Sequence, residues 1–94
     1  MPYSLQFHKD ALKEWKKLDS TVREQFKKAL RKRLEEPHVQ SAALSGMPSC
    51  YKIKLRSSGY RLVYKVDDGV VTVFVIAVGK REGLRVYDTA SRRM

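Results

Sequence analysis

Hydrophobic positions recur along this chain with two spacings, and the switch between them marks out its elements. In the opening YSLQF, Tyr3, Leu5 and Phe7 alternate with Ser4 and Gln6, which predicts a short strand over residues 3–7 with one buried face. HKDALKEWKKL then carries Ala11, Leu12, Trp15 and Leu18 at helical spacing, with lysines filling the opposite face. DSTVRE interrupts that helix. Beyond it Val22, Phe26, Leu30 and Leu34 recur every four residues with Ala29 beside them, a second helix that Pro37 ends. Thr21, with Glu24 three residues on, predicts a capping box at its start. The two helices are expected to run antiparallel across a short turn.

PHVQSAALSGMPS is a loop by its Pro, Ser and Gly content. After it the period of two returns in three runs, roughly 50–56, 59–66 and 70–78, separated by SSG and DDG, which predicts an antiparallel meander. Asp68 followed by Gly69 is a strong hairpin signal. The last run, VVTVFVIAV, is apolar at nearly every position and is expected to lie centrally, covered on much of both faces. The tail KREGLRVYDTASRRM leaves the sheet as a short helix or irregular segment. The expectation is a single α+β domain over residues 1–94 in the order βααβββα, a helical hairpin packed on an antiparallel sheet.

Register decides where the charges of the meander point. Tyr51, Ile53 and Leu55 form one face of its first strand, and Tyr60, Leu62, Tyr64 and Val66 one face of the next. Both sets need the helices for cover. They share a face if Ser57 and Ser58 form a two-residue turn, with Arg56 opposite Gly59, Ile53 opposite Leu62, Lys54 opposite Arg61 and Lys52 opposite Val63. A slip of one residue would bury the cations instead. Lys52, Lys54, Arg56 and Arg61 are thus predicted to cluster on one open sheet face, with Lys65 further along the same strand. Like charges directly opposite each other destabilise a sheet, by a few tenths of a kcal/mol or so on the usual scale of cross-strand pairs. A bound polyanion would complete the arrangement; edge lysines that block aggregation are the plainer alternative.

Composition strengthens the polyanion reading. Twenty Lys and Arg face ten Asp and Glu, a formal charge of +10 on 94 residues. Such a field attracts nucleic acid, an acidic protein or an anionic surface. The helices hold ten of the basic residues. Among them Lys13, Lys16, Lys17, Lys27, Lys28, Arg31 and Lys32 read as a solvated face with some pairing to Glu14 and Glu24, which as a group still supplies the long-range field. No apolar run is long enough to span a membrane, and the N-terminus lacks the pattern of a signal peptide. Cys50 is alone, which excludes an intrachain disulfide and fits a reducing cytoplasm; it reads as a small residue where a strand begins.

The candidate chemistry follows from the cations. A lysine crowded by fixed positive charge loses proton affinity and can serve as a base near neutral pH, whereas an arginine cannot. At the end of the last strand, GKREGLRVY offers Arg81 as a phosphate ligand and Tyr87 as a ring on which a base could stack, the parts of a single-strand RNA site. No carboxylate group has metal-site spacing, and there is no Gly-rich phosphate loop, so no cofactor or metal is implied. His8, ending the first strand, and His38, in a loop, read as bystanders.

In ALKEWKKL, STVREQ, GMPSCYKIKLRSSGYRLVYKV and VFVIAVGKRE the chain resembles the RelE family of bacterial toxins, and the likeness runs essentially end to end. The resemblance implies a fold like that of the microbial ribonucleases. It also implies a toxin that binds in the ribosomal A site and cuts the mRNA codon there without a metal. The 2′-OH would attack the adjacent phosphate and leave a 2′,3′-cyclic phosphate and a 5′-OH. The family's catalytic residues fall on Lys52, Lys54, Arg61, Arg81 and Tyr87. By that resemblance Lys54 is the general base and Lys52 positions it or depresses its pKa. Arg61 holds the phosphate, Arg81 stabilises the leaving 5′-oxygen, and Tyr87 stacks on the nucleotide. Arg56, Lys65 and Lys80 join the helix cations as candidate RNA or ribosome contacts.

One departure is Ser45, where close family members carry an arginine before the GMP stretch; affinity or codon preference is expected to differ there. The resemblance further implies an acidic RelB-like antitoxin that wraps the toxin and displaces the segment bearing Tyr87, with operator DNA bound only through that complex. Two rival readings are a non-cleaving ribosome or RNA binder and a gyrase inhibitor like the sister ParE family, which generally lacks the Lys/Arg/Tyr set.

Overall fold

In the computed structural model, which describes residues 2–80 and 85–93, the pattern of apolar positions becomes eight elements. They are β1 (Ser4–Phe7), α1 (Lys9–Lys16), α2 (Ser20–Glu35), a 3-10 turn at Gln40–Ala42, β2 (Cys50–Leu55), β3 (Tyr60–Asp67), β4 (Thr72–Lys80) and α3 (Arg85–Arg93). The expected α+β order is present, with the 3-10 turn added inside the long loop. The strand order is β1-β4-β3-β2, so β4 lies inside the sheet as its apolar run requires. The sheet is mixed rather than antiparallel throughout, because β1 pairs parallel with β4, from Ser4 opposite Thr72 to Phe7 opposite Val75. A parallel neighbour needs a crossover, and α1 and α2 provide it before the chain returns to the sheet.

The helices α1 and α2 cover one face. Ala11, Leu18, Val22, Phe26 and Leu30 pack there with Tyr51, Ile53, Leu62, Tyr64, Val66, Val73, Val75 and Val78. A second, smaller cluster fills part of the other face, where Val86 and Ala90 of α3 meet Cys50, Val63, Ile76 and Ala77. A bulge makes that cluster. Val63 pairs with Ala77 but Tyr64 with Val75, which leaves Ile76 unopposed and turns both Ile76 and Ala77 toward α3.

Three local expectations are corrected. The cap of α2 is Asp19, whose Oδ1 accepts the Val22 N–H at 3.0 Å; Thr21 already lies inside the helix. A carboxylate at that position both satisfies a free N–H and complements the helix dipole, so it wins over the hydroxyl two residues later. The turn after β2 is a four-residue loop, 56–59, closed by the Gly59 N–H donating to the Leu55 carbonyl at 2.9 Å. Two serines are poor at the left-handed conformations a two-residue turn demands, and Gly59 (φ +76°) takes that role instead. The register is unaffected: Ile53 faces Leu62, Lys54 faces Arg61 and Lys52 faces Val63. After β3 the loop again has four residues, since Asp67 pairs with Thr72. Its left-handed residue is Val71 (φ +50°) and not Gly69. The Asp67 carboxylate accepts the Gly69 and Val70 N–H groups, and the Ser4 N–H of β1 holds the Val71 carbonyl.

Candidate active site

Three strands build the cationic row. Lys54 on β2 stands opposite Arg61 on β3, and Arg61 stands opposite Gly79 on β4. One rung along, Lys52, Val63 and Ala77 form a second row on the same face. That face is not the open one expected. Helix α3 lies across Val63, Ile76 and Ala77, and Arg61 is only 8% exposed. The tail folds back because Val86 and Ala90 form a small apolar stripe that needs cover. Lys52 is half-buried, whereas Lys54, Arg56, Lys65 and Lys80 are exposed. Burial on this scale requires hydrogen bonding, and among the described residues no buried side-chain nitrogen or oxygen lacks a partner. The site therefore grades from an arginine held in the sheet to lysines in contact with water.

Helix α3 passes close to Gly79, where a Cβ would lie 3.9 Å from Val86 Cγ2, an ordinary van der Waals contact that does not itself require glycine. Tyr87 follows Val86 and is half-buried against the second cluster, on the same face as Lys52 and Arg61. Lys80 places its ammonium 5.8 Å from the Tyr60 ring centroid. Arg81 lies outside the described residues. The helix cations are brought to a different place. Lys13, Lys16, Lys17, Lys27, Lys28, Arg31 and Lys32 are all exposed on α1 and α2 or just beyond, across the sheet from the Lys54–Arg61 row. Of the acids expected to pair with them, Glu24 meets Lys27 at 3.2 Å, while Glu14 turns inward to Arg93.

Beneath β2, on the helix side, runs a network that sequence reasoning missed. Arg33 donates to the Lys52 carbonyl at 3.1 Å and to the Tyr64 hydroxyl at 2.9 Å, and Tyr64 donates to the Pro37 carbonyl at 2.8 Å. The Tyr51 ring stacks on Tyr64 with centroids 5.6 Å apart. His38 Nδ1 lies 3.0 Å from the Tyr51 hydroxyl, and its Nε2 lies 2.9 Å from Asp68, which also accepts from the Tyr3 hydroxyl at 2.6 Å. Burial pushes the Tyr64 phenol up, opposed by Arg33. The hydrogen bond from Tyr3, then that from His38, holds the Asp68 carboxyl below its ordinary value of 3.8. His38 is thus a bonded member of the fold, and His8 caps α1 through Nδ1. A sequence signal existed for Arg33. It sits three residues after Leu30 and seven after Phe26, on the apolar stripe of α2, where a cation must find a partner.

Along the uncovered part of the α3 face runs a groove of about 740 Å³, lined by Ser4, Gln6, Lys65, Asp67, Thr72, Phe74 and Arg93 among others. Cys50 is buried where β2 begins, and burial raises its thiol pKa more than the nearby Lys65 lowers it. Among the described residues no three His, Cys, Asp or Glu side chains assemble as a metal site, and no helix is long and apolar enough to cross a membrane.

A family model described as the ParE toxin of type II toxin-antitoxin system, parDE, matches residues 5–85. The chain is also 62% identical over 94 residues to the mRNA interferase toxin RelE of Escherichia coli K12, which covers all of this chain and 99% of that protein. The chain belongs to the RelE/ParE family of type II toxins. A putative RelE-like toxin protein of E. coli is 54% identical over the same length. Among solved structures, a double mutant of E. coli toxin RelE in the free state superposes with a TM-score of 0.93 at 61% identity, covering 100% of this chain and 99% of that one. The intact E. coli RelBE toxin-antitoxin complex contains a chain that matches with a TM-score of 0.84 at 64% identity, over 86% of this chain and 99% of that one. Such identity over whole chains places this RelE/ParE member on the RelE side.

Proposed function

We propose that this protein is the toxin of a type II toxin–antitoxin pair and an mRNA interferase, an endoribonuclease that cuts the codon in the ribosomal A site. The observation that carries the reading is the Lys54–Arg61 pairing on the face bordered by Lys52 and Tyr87. In the proposed reaction Lys54, in contact with water, takes the proton from the ribose 2′-OH. The 2′-oxygen bonds to phosphorus and the P–O5′ bond breaks, leaving a 2′,3′-cyclic phosphate and a 5′-oxygen that takes a proton from water to become the 5′-OH. Arg61, held in the sheet where little water reaches, faces the phosphate as charge builds; a fixed cation in such a place needs no reorganisation. Arg81 would stabilise the departing oxygen, and Tyr87 would orient the nucleotide.

A handful of polar side chains gives weak catalysis alone, so the remaining alignment is supplied by the ribosome, and free RNA is cut little. The partner is an acidic RelB-like antitoxin, with operator DNA bound only through that complex, and the site of action is the cytoplasm. E. coli RelE is seen with RelB in the related complex structure.

Primer extension on one mRNA, free and on ribosomes with an empty A site, tests the reading. Cleavage within the A-site codon only on ribosomes is expected, with Lys54→Ala slower by about 10²- to 10⁴-fold, the usual worth of a general base. No cleavage in either setting would overturn it, in favour of a non-cleaving ribosome binder, with gyrase inhibition assayed next.

A further inference from the structure

Strand β1 stops at Phe7 opposite Val75, but β4 continues to Lys80. Past that point the side of β4 that β1 has left is met by two charged side chains. The Val78 N–H donates to Glu14 Oε1 at 3.0 Å, and Arg93 donates to the Ile76 carbonyl at 2.8 Å. An N–H and a C=O two residues apart on one edge are the groups a neighbouring strand would engage. Arg93 also donates two hydrogen bonds to the Glu14 carboxylate, at 3.0 Å to Oε1 and 2.9 Å to Oε2. Their side chains are 32% and 16% exposed. Glu14 belongs to α1 and Arg93 to the last turn of α3, so one ion pair ties both helices to the same two backbone groups.

We propose that the Glu14–Arg93 pair is a clasp that holds α3 on the sheet and so positions Tyr87 for catalysis. The inference rests on the proposed role of Tyr87 in cleavage. Helix α3 has nine residues, too few to be stable alone, and its buried side chains are Val86 and Ala90. Two small apolar groups can hold a helix against a sheet while leaving it free to roll or slide. A two-pronged bond from a planar guanidinium removes that freedom, since both its distance and its direction are set. Tyr87 adjoins Val86 on the same short rod, so a roll of α3 shifts the ring relative to Arg61 and Lys54. The Arg92–Asp88 ion pair, at 3.7 Å, is exposed and stays within α3, so it cannot do this. Glu14 and Arg93 are positioning residues and touch no reacting atom.

The test uses the full chain with Glu14→Gln, Arg93→Gln, the double variant and Arg93→Lys. Hydrogen exchange at the Val78 amide and along α3 reads the clasp without reference to activity. Single-turnover A-site cleavage at saturating toxin, beside ribosome affinity, reads positioning. In both single variants exchange at these amides is expected to quicken by about tenfold, with α2 unchanged. Cleavage is expected to slow by about tenfold at unaltered ribosome affinity, because fewer molecules hold Tyr87 in place. The double variant should be no worse than either single one, and Arg93→Lys should recover part of the rate. Faster exchange with undiminished cleavage would overturn the positioning role, and unchanged exchange would overturn the clasp itself. A wild-type protein that cuts nothing would instead overturn the proposed function and the positioning role with it, leaving exchange to decide the clasp.

Discussion

Tyr64 shows how much a single buried side chain can be asked to hold. Its ring is fully buried, and its hydroxyl both accepts from Arg33 and donates to Pro37. Removing that oxygen costs each neighbour one partner, though Arg33 keeps the Lys52 carbonyl and the Pro37 carbonyl keeps the Val39 N–H, so Tyr64→Phe is expected to lower stability by about 1 kcal/mol in urea denaturation. Asp68 behaves differently because it is exposed and titratable. Its hydrogen bonds favour the ionised form in the folded state, which puts its folded pKa below the ordinary 3.8. The stability it adds is complete above that value and is lost as the pH falls through the lowered one. The stability gap between the wild type and Asp68→Asn should therefore be constant near neutrality and close under acid, as measured by urea denaturation at several pH values. Of these residues, Arg33 was legible from its place on the apolar stripe of α2. The pairing of His38 with Asp68 was not, since 30 residues separate them and neither carries a motif.

Among the elements, α2 offers a test of which residue starts it. Asp19→Ala should cost about 1 kcal/mol by loss of the cap, whereas Thr21→Ala should stay within about 0.5 kcal/mol, compared by urea denaturation midpoints. Both residues suit a cap by type, and the choice turns on where the backbone first becomes helical. The loops show the same division. A four-residue loop replaced the two-residue turn read from Ser57 and Ser58, yet Ile53 opposite Leu62, Lys54 opposite Arg61 and Lys52 opposite Val63 stayed as expected. Pairing is decided by which side chains must be buried, and turn length by which residues tolerate a positive φ. At Val71 the loop places a β-branched residue at φ +50°, held by the Ser4 N–H, a long-range contact that local turn chemistry does not contain.

For the whole molecule, the +10 charge is divided between two sides of the sheet. The helix lysines provide a broad field, while Lys52, Lys54 and Arg61 sit on the α3 face. Under the proposed function, ribosome affinity should fall steeply with salt through displacement of counterions. Charge-removing variants on the helix side, such as Lys28→Gln, should weaken binding and shallow the salt dependence with the single-turnover rate at saturation preserved. Lys54→Ala should spare most of the affinity and slow the rate by about 10²- to 10⁴-fold. Filter binding across a salt series, beside single-turnover cleavage, separates the two.

The chain by itself determined the α+β order, the central place of β4, the register of β2 on β3 and hence the meeting of Lys54 with Arg61. All of these follow from apolar side chains that must share a buried face, a requirement written in residue spacing. Tertiary structure alone decided the parallel pairing of β1, the bulge at Ile76, the burial of Arg61 and the Glu14–Arg93 pair. Those depend on groups as much as 79 residues apart coming together to satisfy one another, and no local pattern records which partner a charge or an edge carbonyl will find.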